Sequence, residues 1–178
     1  MISTTNILFY SRLGDITDYG KCHTVAVDEI NDDDWVVELE DIEKDSGRLL
    51  RRIKKKDRPT NGSRHCFKEG KVLYSKLRTY LNKVLIADRS GYCTTEIIPI
   101  TSSDAVVPDY LCQVLRSPYF LDYTERCGYG VKMPRLGTSD ARNAIIPVPP
   151  IKEQRRIAGK VQELINNLNA LSQDDSFR

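Results

Sequence analysis

Metal-binding and disulfide patterns are missing from this sequence of 178 residues. It contains two histidines, and its five cysteines never occur as a Cys-x-x-Cys pair, so the usual spacing of a zinc site is excluded. An odd number of cysteines also argues against a complete disulfide framework. We therefore expect no bound metal, and we expect the reduced, mostly buried thiols of a cytoplasmic protein at Cys22, Cys66, Cys93, Cys112 and Cys127.

Long apolar runs are also missing. No stretch of the sequence approaches the ~20 apolar residues that a membrane-spanning helix needs. No basic segment precedes the first apolar residues, which argues against a secretory signal. We expect a protein without membrane contact, and its length suits one domain or one domain with an appendage.

The motifs that assemble common active sites are absent as well. The sequence has no P-loop, no Gly-x-Gly-x-x-Gly after a strand and no Gly-x-Ser-x-Gly elbow. Residues 69–71, Glu-Gly-Lys, match the Glu-x-Lys of a metal-dependent nuclease only superficially, because the metal-binding aspartate would have to be Asp57 in a basic loop. We predict that the chain is not an enzyme and has neither catalytic residues nor a cofactor of its own.

Charge is present in blocks, although the net charge is only +2. Residues 1–47 contain 3 basic and 12 acidic side chains, whereas residues 48–89 contain 14 basic and 3 acidic ones. The basic block predicts binding to a polyanion, and affinity for nucleic acid would come largely from phosphate neutralisation. The alternative is a solvated loop that pairs with the acidic segment 28–34.

The predicted elements run from strands to helices. Alternating or apolar runs predict strands at residues 35–39, 71–77, 83–87 and 95–100. Residues 48–66 lack periodicity and are expected to form an exposed basic loop. Helical spacing follows at 109–115 and at 117–126, where Ser117-Pro118 is a helix start, and a short helical turn is predicted at 139–142. This order predicts an α+β (mixed) fold with a small, mostly antiparallel sheet and helices.

A double proline separates this body from a terminal helix of coiled-coil type. Pro149 and Pro150 follow a strand-like run at 145–148, and helical spacing extends from Ile151 to Gln173. Apolar residues recur every three and four positions along the helix, as in a heptad seam, at Ile157, Val161, Leu164, Leu168 and Leu171. Two arrangements stay open, because such a helix either packs on its own domain or leaves the body and pairs with another helix.

The same junction carries a family resemblance. Residues 146–157, Ile-Pro-Val-Pro-Pro-Ile-Lys-Glu-Gln-Arg-Arg-Ile, follow the pattern Ile-Pro-Leu-Pro-Pro-Leu-x-Glu-Gln-x-x-Ile with conservative replacements. Further blocks look like one subgroup at residues 39–43, 67–84, 91–96 and 133–136. The sequence therefore resembles a half-repeat of the specificity subunit of type I restriction–modification enzymes, over roughly residues 12–171.

The resemblance implies a DNA target-recognition domain at residues 1–148 and a C-terminal conserved-region helix at 149–178, which serves dimerisation or partner binding. A complete subunit would have two recognition domains joined by two long helices, so this chain looks like a half-size or truncated form. The implied partners are double-stranded DNA, a methylation subunit that uses S-adenosylmethionine and, where present, a restriction subunit. The chain would direct that complex to its DNA sequence without catalysing a reaction.

The expected DNA contacts divide between phosphates and bases. Phosphate contacts are expected from the stretch 48–58 and Lys68, and within that stretch from Arg51, Arg52, Lys54, Lys55, Lys56 and Arg58. Base readout is expected from Lys76, Arg78, Tyr80, Asn82, Lys83, Tyr129, Lys132 and Arg135. For residues 76–83 the alternative is a structural block with Leu77 and Leu81 in the core.

The terminal helix adds an expectation about assembly. Pairing of its seam with a second copy, or with another specificity subunit, would place two recognition domains about a two-fold axis and predicts a symmetric bipartite DNA site. The alternative function is a helix-mediated interaction module that modulates such a complex and binds little DNA itself.

Overall fold

The structure is a computed structural model and describes residues 8–130 and 133–174. The elements of this part of the chain follow one another as β1 Phe9–Arg12, α1 Leu13–Ile16, β2 His23–Ala26, β3 Trp35–Val37, β4 Ile53–Lys54, β5 Ser63–Phe67, β6 Val72–Ser75, β7 Val84–Ile86, β8 Gly91–Thr94, β9 Ile97–Ile100, α2 Pro108–Arg116, α3 Pro118–Cys127, α4 Thr138–Asn143, β10 Ile145–Val148 and α5 Ile151–Asp174. Short 3-10 turns lie at Val27–Glu29, Leu39–Asp41, Lys55–Asp57 and Thr79–Leu81.

The strands form three small sheets. The first pairs β1 with β10 in antiparallel fashion, so a strand near the start of the chain lies beside the strand that precedes the double proline. The second has the order β2-β5-β8-β3-β4, in which only β3 and β8 are parallel. The third has the antiparallel order β7-β6-β9. The predicted α+β class is therefore confirmed, with several small sheets in place of one.

The three-stranded sheet separates two apolar cores. On β6, Val72 and Tyr74 face a core that the helices α2 and α3 cover, whereas Leu73 faces a second core around Trp35 and Phe67. The same alternation occurs on β9 and β7, so each strand is buried on both faces. This burial explains why these strands are apolar runs in the sequence rather than alternating ones.

The helical half follows the predicted boundaries closely. Helix α3 begins at Pro118, and the Ser117 hydroxyl oxygen accepts a hydrogen bond from the Phe120 backbone N–H at 3.4 Å, as expected for an N-cap followed by proline. The short helix α4 contains the predicted turn at 139–142. No described helix combines the length and the apolar character that a membrane span requires.

The expectation of an exposed loop over residues 48–66 was wrong in part. This segment contains β4, a 3-10 turn and most of β5, which lies between β2 and β8. Strand β5 buries His65 and Phe67 on one face, but Arg64 and Cys66 alternate with them, so the strand has little apolar content. The strand is stabilised by backbone hydrogen bonds to β2 and β8, on its two sides. Because these bonds do not depend on side-chain type, the sequence of β5 has only a weak strand pattern.

Helix α5 starts on the body and then leaves it. Its first turns are part of the core, since Gln154 is fully buried and Ala158 is 7% exposed, while Ile157 packs against the core from its edge. Farther along the helix, Leu164 and Leu171 are 51% and 65% exposed. The first half of α5 therefore packs on its own domain, and the distal half leaves the body. Pairing of the distal half with another helix stays a prediction.

Candidate nucleic-acid interface

The basic stretch is held by the acidic segment that precedes it in the chain. Lys54 and Lys56 both place Nζ 2.8 Å from Oδ1 of Asp33, and Lys55 lies 3.3 Å from Asp32. Hydrogen bonds from Lys54 and then Lys56 lower the pKa of Asp33 to about 2. The alternative of pairing with the acidic segment is confirmed for these three lysines.

Arginines of the same stretch converge on one buried carboxylate. Asp41 is fully buried, and its Oδ1 accepts hydrogen bonds from Arg51 Nε and from Arg58 Nη2, each at 2.7 Å. Burial raises the pKa of Asp41, but the hydrogen bonds from Arg58, from the Glu38 backbone N–H and from Arg51 outweigh it, so the net shift is downward. Glu40 lies at the edge of this cluster, 3.3 Å from Arg51.

Arg52 also has a carboxylate partner. It forms an ion pair with Asp88 and stacks over Trp35, with its guanidinium carbon 5.0 Å from the ring centroid. All six residues predicted to contact phosphates from this stretch thus have a carboxylate partner. Phosphate contacts from them stay a prediction, and each would need an exchange of partner. Asp32 and Asp33 belong to the acidic segment 28–34 that was considered as a partner of the basic stretch, whereas the partners Asp41 and Asp88 were not predicted.

A second cluster forms where two distant segments meet. The Arg78 backbone N–H donates to the Pro134 carbonyl at 2.7 Å, and the Leu136 N–H donates to the Lys76 carbonyl at 2.9 Å. These bonds join residues 76–82 to a segment made of residues 129–130 and 133–136, in which Tyr129 and Arg135 exchange two hydrogen bonds. We call these two segments the paired loops. The structure thus brings together predicted base-reading residues that lie about fifty positions apart in the sequence.

The conformation of the paired loops directs some side chains outward. Arg78 and Asn82 flank the 3-10 turn Thr79–Leu81, with φ of 51° and 49° in the left-handed region. A left-handed arginine is uncommon and costs conformational energy, whereas asparagine tolerates this region better. Arg78 is exposed, and Tyr80 and Tyr129 are 46% and 59% exposed. Two aromatic rings and a cation therefore lie at the surface.

Other predicted base-reading residues form hydrogen bonds or ion pairs within the protein. Asn82 donates from Nδ2 to the Arg116 carbonyl, and Lys83 donates from Nζ to the Leu39 carbonyl at 2.7 Å. Burial lowers the pKa of Lys83, although Glu40 and Asp41 act in the opposite direction. Arg135 pairs with Glu96 at 3.1 Å. The structural alternative therefore applies to part of the block.

Lys76 and Arg78 differ from these neighbours in their electrostatics. Over residues 8–130 and 133–174, neither side chain forms an ion pair, whereas Arg135 beside them does. Leu77 and Leu81, proposed as core residues, are only half-buried and line a cavity of about 230 Å³ together with Arg78. Met133 lies in the second of the paired loops and is 47% exposed, but it was not among the predicted DNA contacts. Lys132 lies outside the described residues.

No cluster in the described ranges contains three His, Cys, Asp or Glu side chains placed to hold a metal ion. The five cysteines are free thiols, and burial raises the pKa of Cys112 to about 11. A thiol with a raised pKa is a weak nucleophile at neutral pH.

Comparison with known proteins points to one family. The family described as the type I restriction modification DNA specificity domain matches residues 10–175. A curated relative, the type I restriction enzyme EcoDI specificity subunit of Escherichia coli, is 30% identical over 102 residues, which are 57% of this chain and 22% of that relative.

Solved structures share the fold. The HsdS subunit from Thermoanaerobacter tengcongensis matches with a TM-score of 0.77 at 21% identity, over 93% of this chain and 44% of that one. The S subunit of a type I restriction–modification system from M. genitalium matches with a TM-score of 0.64 at 13% identity, over 97% and 43%. The chain thus spans less than half the length of each of these relatives. Because the family match extends over nearly the whole sequence, the chain belongs to the type I restriction modification DNA specificity domain family.

Proposed function

We propose that this chain recognises a specific DNA sequence as a half-size specificity subunit and directs a methylation or restriction complex to it. The observation that carries the proposal is the pair of loops, in which Lys76 and Arg78 lack ion-pair partners in the described ranges and the rings of Tyr80 and Tyr129 are exposed. Arginine and lysine are the side chains that most often read guanine in the major groove. Family membership favours this function over an interaction module with little DNA binding.

The remaining parts of the proposal follow from that role. The chain itself would catalyse nothing and bind no cofactor, and a methylation subunit would supply S-adenosylmethionine. A restriction subunit would join the same complex. The EcoDI and M. genitalium proteins matched above support these partners, since their names place them in type I restriction systems. A protein with this role would work in the cytoplasm, where the DNA is.

Mapping of methylated sites tests the proposal. The chain is co-expressed with a methylation subunit of its family, and the modified positions in the host DNA are mapped by single-molecule sequencing. We expect one symmetric bipartite motif, and we expect log K for that duplex to fall with log salt at a slope of about −4 to −5, the value for five neutralised phosphates. Random methylation, or binding that ignores salt, would contradict the proposal.

We also propose that the distal half of α5 pairs with a second copy of this chain or with another specificity subunit. The exposed Leu164 and Leu171 support this arrangement, because large apolar side chains on one helix stripe gain free energy when a partner covers them. A pair of antiparallel or parallel helices would then carry two recognition domains, as a bipartite site requires.

Replacing Leu164 and Leu171 together with aspartate is expected to convert a dimer into a monomer. Each buried leucine contributes about 1.5–3 kcal/mol, so the dissociation constant should rise about 100-fold or more. Analytical ultracentrifugation measures the change. The control, Gln162→Glu with Ala170→Glu, alters net charge equally on exposed positions away from the seam and should leave the dimer intact. A wild-type monomer at high concentration would contradict self-pairing.

A further inference from the structure

Gln154 lies where α5 meets the body, and its side chain is fully buried. Its Nε2 donates to the carbonyls of Ala105 and Pro149, each at 2.8 Å. Its Oε1 accepts the backbone N–H of Val107 at 2.9 Å. One amide therefore joins the first turn of α5 to the segment that leads into α2 and to the proline joint itself.

These hydrogen bonds satisfy backbone groups that no helix or strand pairs, namely the Val107 N–H and the carbonyls of Ala105 and Pro149. Val107 is the N-cap of α2, and no side chain of its own caps that helix. The Ala105 and Pro149 carbonyls lie outside helices and strands. Such a network rigidifies its surroundings, because any tilt of the helix would break several hydrogen bonds of a side chain that is itself fully buried.

Contact between α5 and the body is strongest at the start of the helix. Ile157 and Ala158 belong to the core region, whereas Leu164 and Leu171 are more than half exposed. From residue 154 to residue 174 the helix extends about 30 Å at 1.5 Å per residue. A tilt of about 10° at the joint would move the far end by about 5 Å, more than one base step of about 3.4 Å along the DNA axis.

We infer that Gln154 is a positioning residue whose buried amide sets the direction of α5 relative to the recognition body. Its consequence for DNA, a fixed spacing between the two halves of a bipartite site, rests on the proposed function. The clamp itself is a property of the free protein and is testable without DNA.

The test uses residual dipolar couplings of backbone amides on the full chain. In the wild-type protein, one alignment tensor should fit both the body and α5. Gln154→Met keeps the length of the side chain but removes all three hydrogen bonds, and we expect α5 to require a separate tensor. Its order parameter relative to the body should fall from about 0.85 to below about 0.6, the values of rigid and flexible segments.

Val37→Ala is the control for a mere loss of stability. Val37 is fully buried in the second core, away from α5, so this variant should melt at a lower temperature and still fit one tensor. If Gln154→Met also fits one tensor, the inference is overturned.

A second variant covers the case in which Gln154→Met does not fold. Val107→Pro removes the N–H from which Gln154 accepts, together with the half-buried valine side chain, and proline suits the φ of −76° at this position. We expect α5 to lose order in this variant too, although less than in Gln154→Met, and an unchanged α5 would overturn the inference. Val107→Ala loses the same side chain but keeps the N–H, and it should leave α5 ordered. The two tests are independent. If the chain does not recognise DNA, the alignment tensors of the variants still decide the role of Gln154. If the variants fit a single tensor, the proposed DNA recognition is unaffected.

Discussion

Replacing Arg78 with alanine is expected to lower the affinity for the mapped target duplex by about 10- to 100-fold, because a bidentate contact to guanine contributes about 1–3 kcal/mol of discrimination. The guanidinium is exposed, forms no ion pair in the described part of the chain and is held at the paired loops by the bond from its backbone N–H to the Pro134 carbonyl. Fluorescence anisotropy with the target duplex and with a scrambled duplex measures the loss and its sequence dependence.

Arg52→Gln tests the separate prediction that the basic stretch contacts phosphates. It removes the same charge from the neighbouring basic stretch, but Arg52 already pairs with Asp88, so the affinity should change by less than about threefold and the salt slope by less than about one. If Arg78→Ala weakens target and scrambled DNA equally, Arg78 contacts phosphate and reads no base. If Arg52→Gln has the larger effect, the basic stretch is the interface and the paired loops are structural.

Replacing Asp41 with alanine is expected to destabilise the protein by about 3–5 kcal/mol, the usual cost of leaving one partner of a buried ion pair uncompensated. Asp41 is fully buried, and the side chain of Arg58 beside it is only 9% exposed. The substitution also removes the acceptor of the Glu38 N–H at the 3-10 turn. Urea denaturation followed by circular dichroism measures the change in the free energy of unfolding.

Glu43→Ala is the comparison for Asp41→Ala, because Glu43 forms its ion pair with Arg48 at the surface. Its unfolding midpoint should stay close to that of the wild type. Equal destabilisation by the two substitutions would contradict the role assigned to burial.

The buried carboxylate also predicts a pH dependence. Because the pKa of Asp41 is lower in the folded state than in the unfolded chain, its contribution is complete above pH ~4. That contribution is lost as the pH falls from ~4 through the lowered pKa of the folded state. Asp41→Asn should therefore show a flatter loss of stability in this acid range than the wild type. A parallel decline in both proteins would contradict the prediction.

Elements with strong local signals were predicted well from the sequence. The Ser117-Pro118 cap, the double proline before α5 and the apolar strands β6, β7 and β9 each depend on neighbours within a few residues. The junction motif was sufficient to identify the family, which the match over residues 10–175 confirms. The domain boundary at residue 148 stays a prediction.

Elements that depend on distant partners were missed. Strands β2 and β5 are polar, and they exist because β8 and each other's backbones satisfy their hydrogen bonds. The pairing of β1 with β10 joins segments more than 130 residues apart, for which no local pattern exists. Register between such strands is a property of the folded chain and cannot be found in either strand alone.

The candidate site shows the same division most clearly. The sequence by itself determined which segments are basic, where the terminal helix begins and which residues form its apolar stripe. Only the tertiary structure decided which of the charges are available. It pairs the basic side chains of residues 51–58 with Asp32, Asp33, Asp41 and Asp88, and it leaves Arg78 exposed where its backbone bonds to Pro134. The physical reason is that the strength of an electrostatic interaction depends on distance and burial, and neither quantity is set by position in the chain.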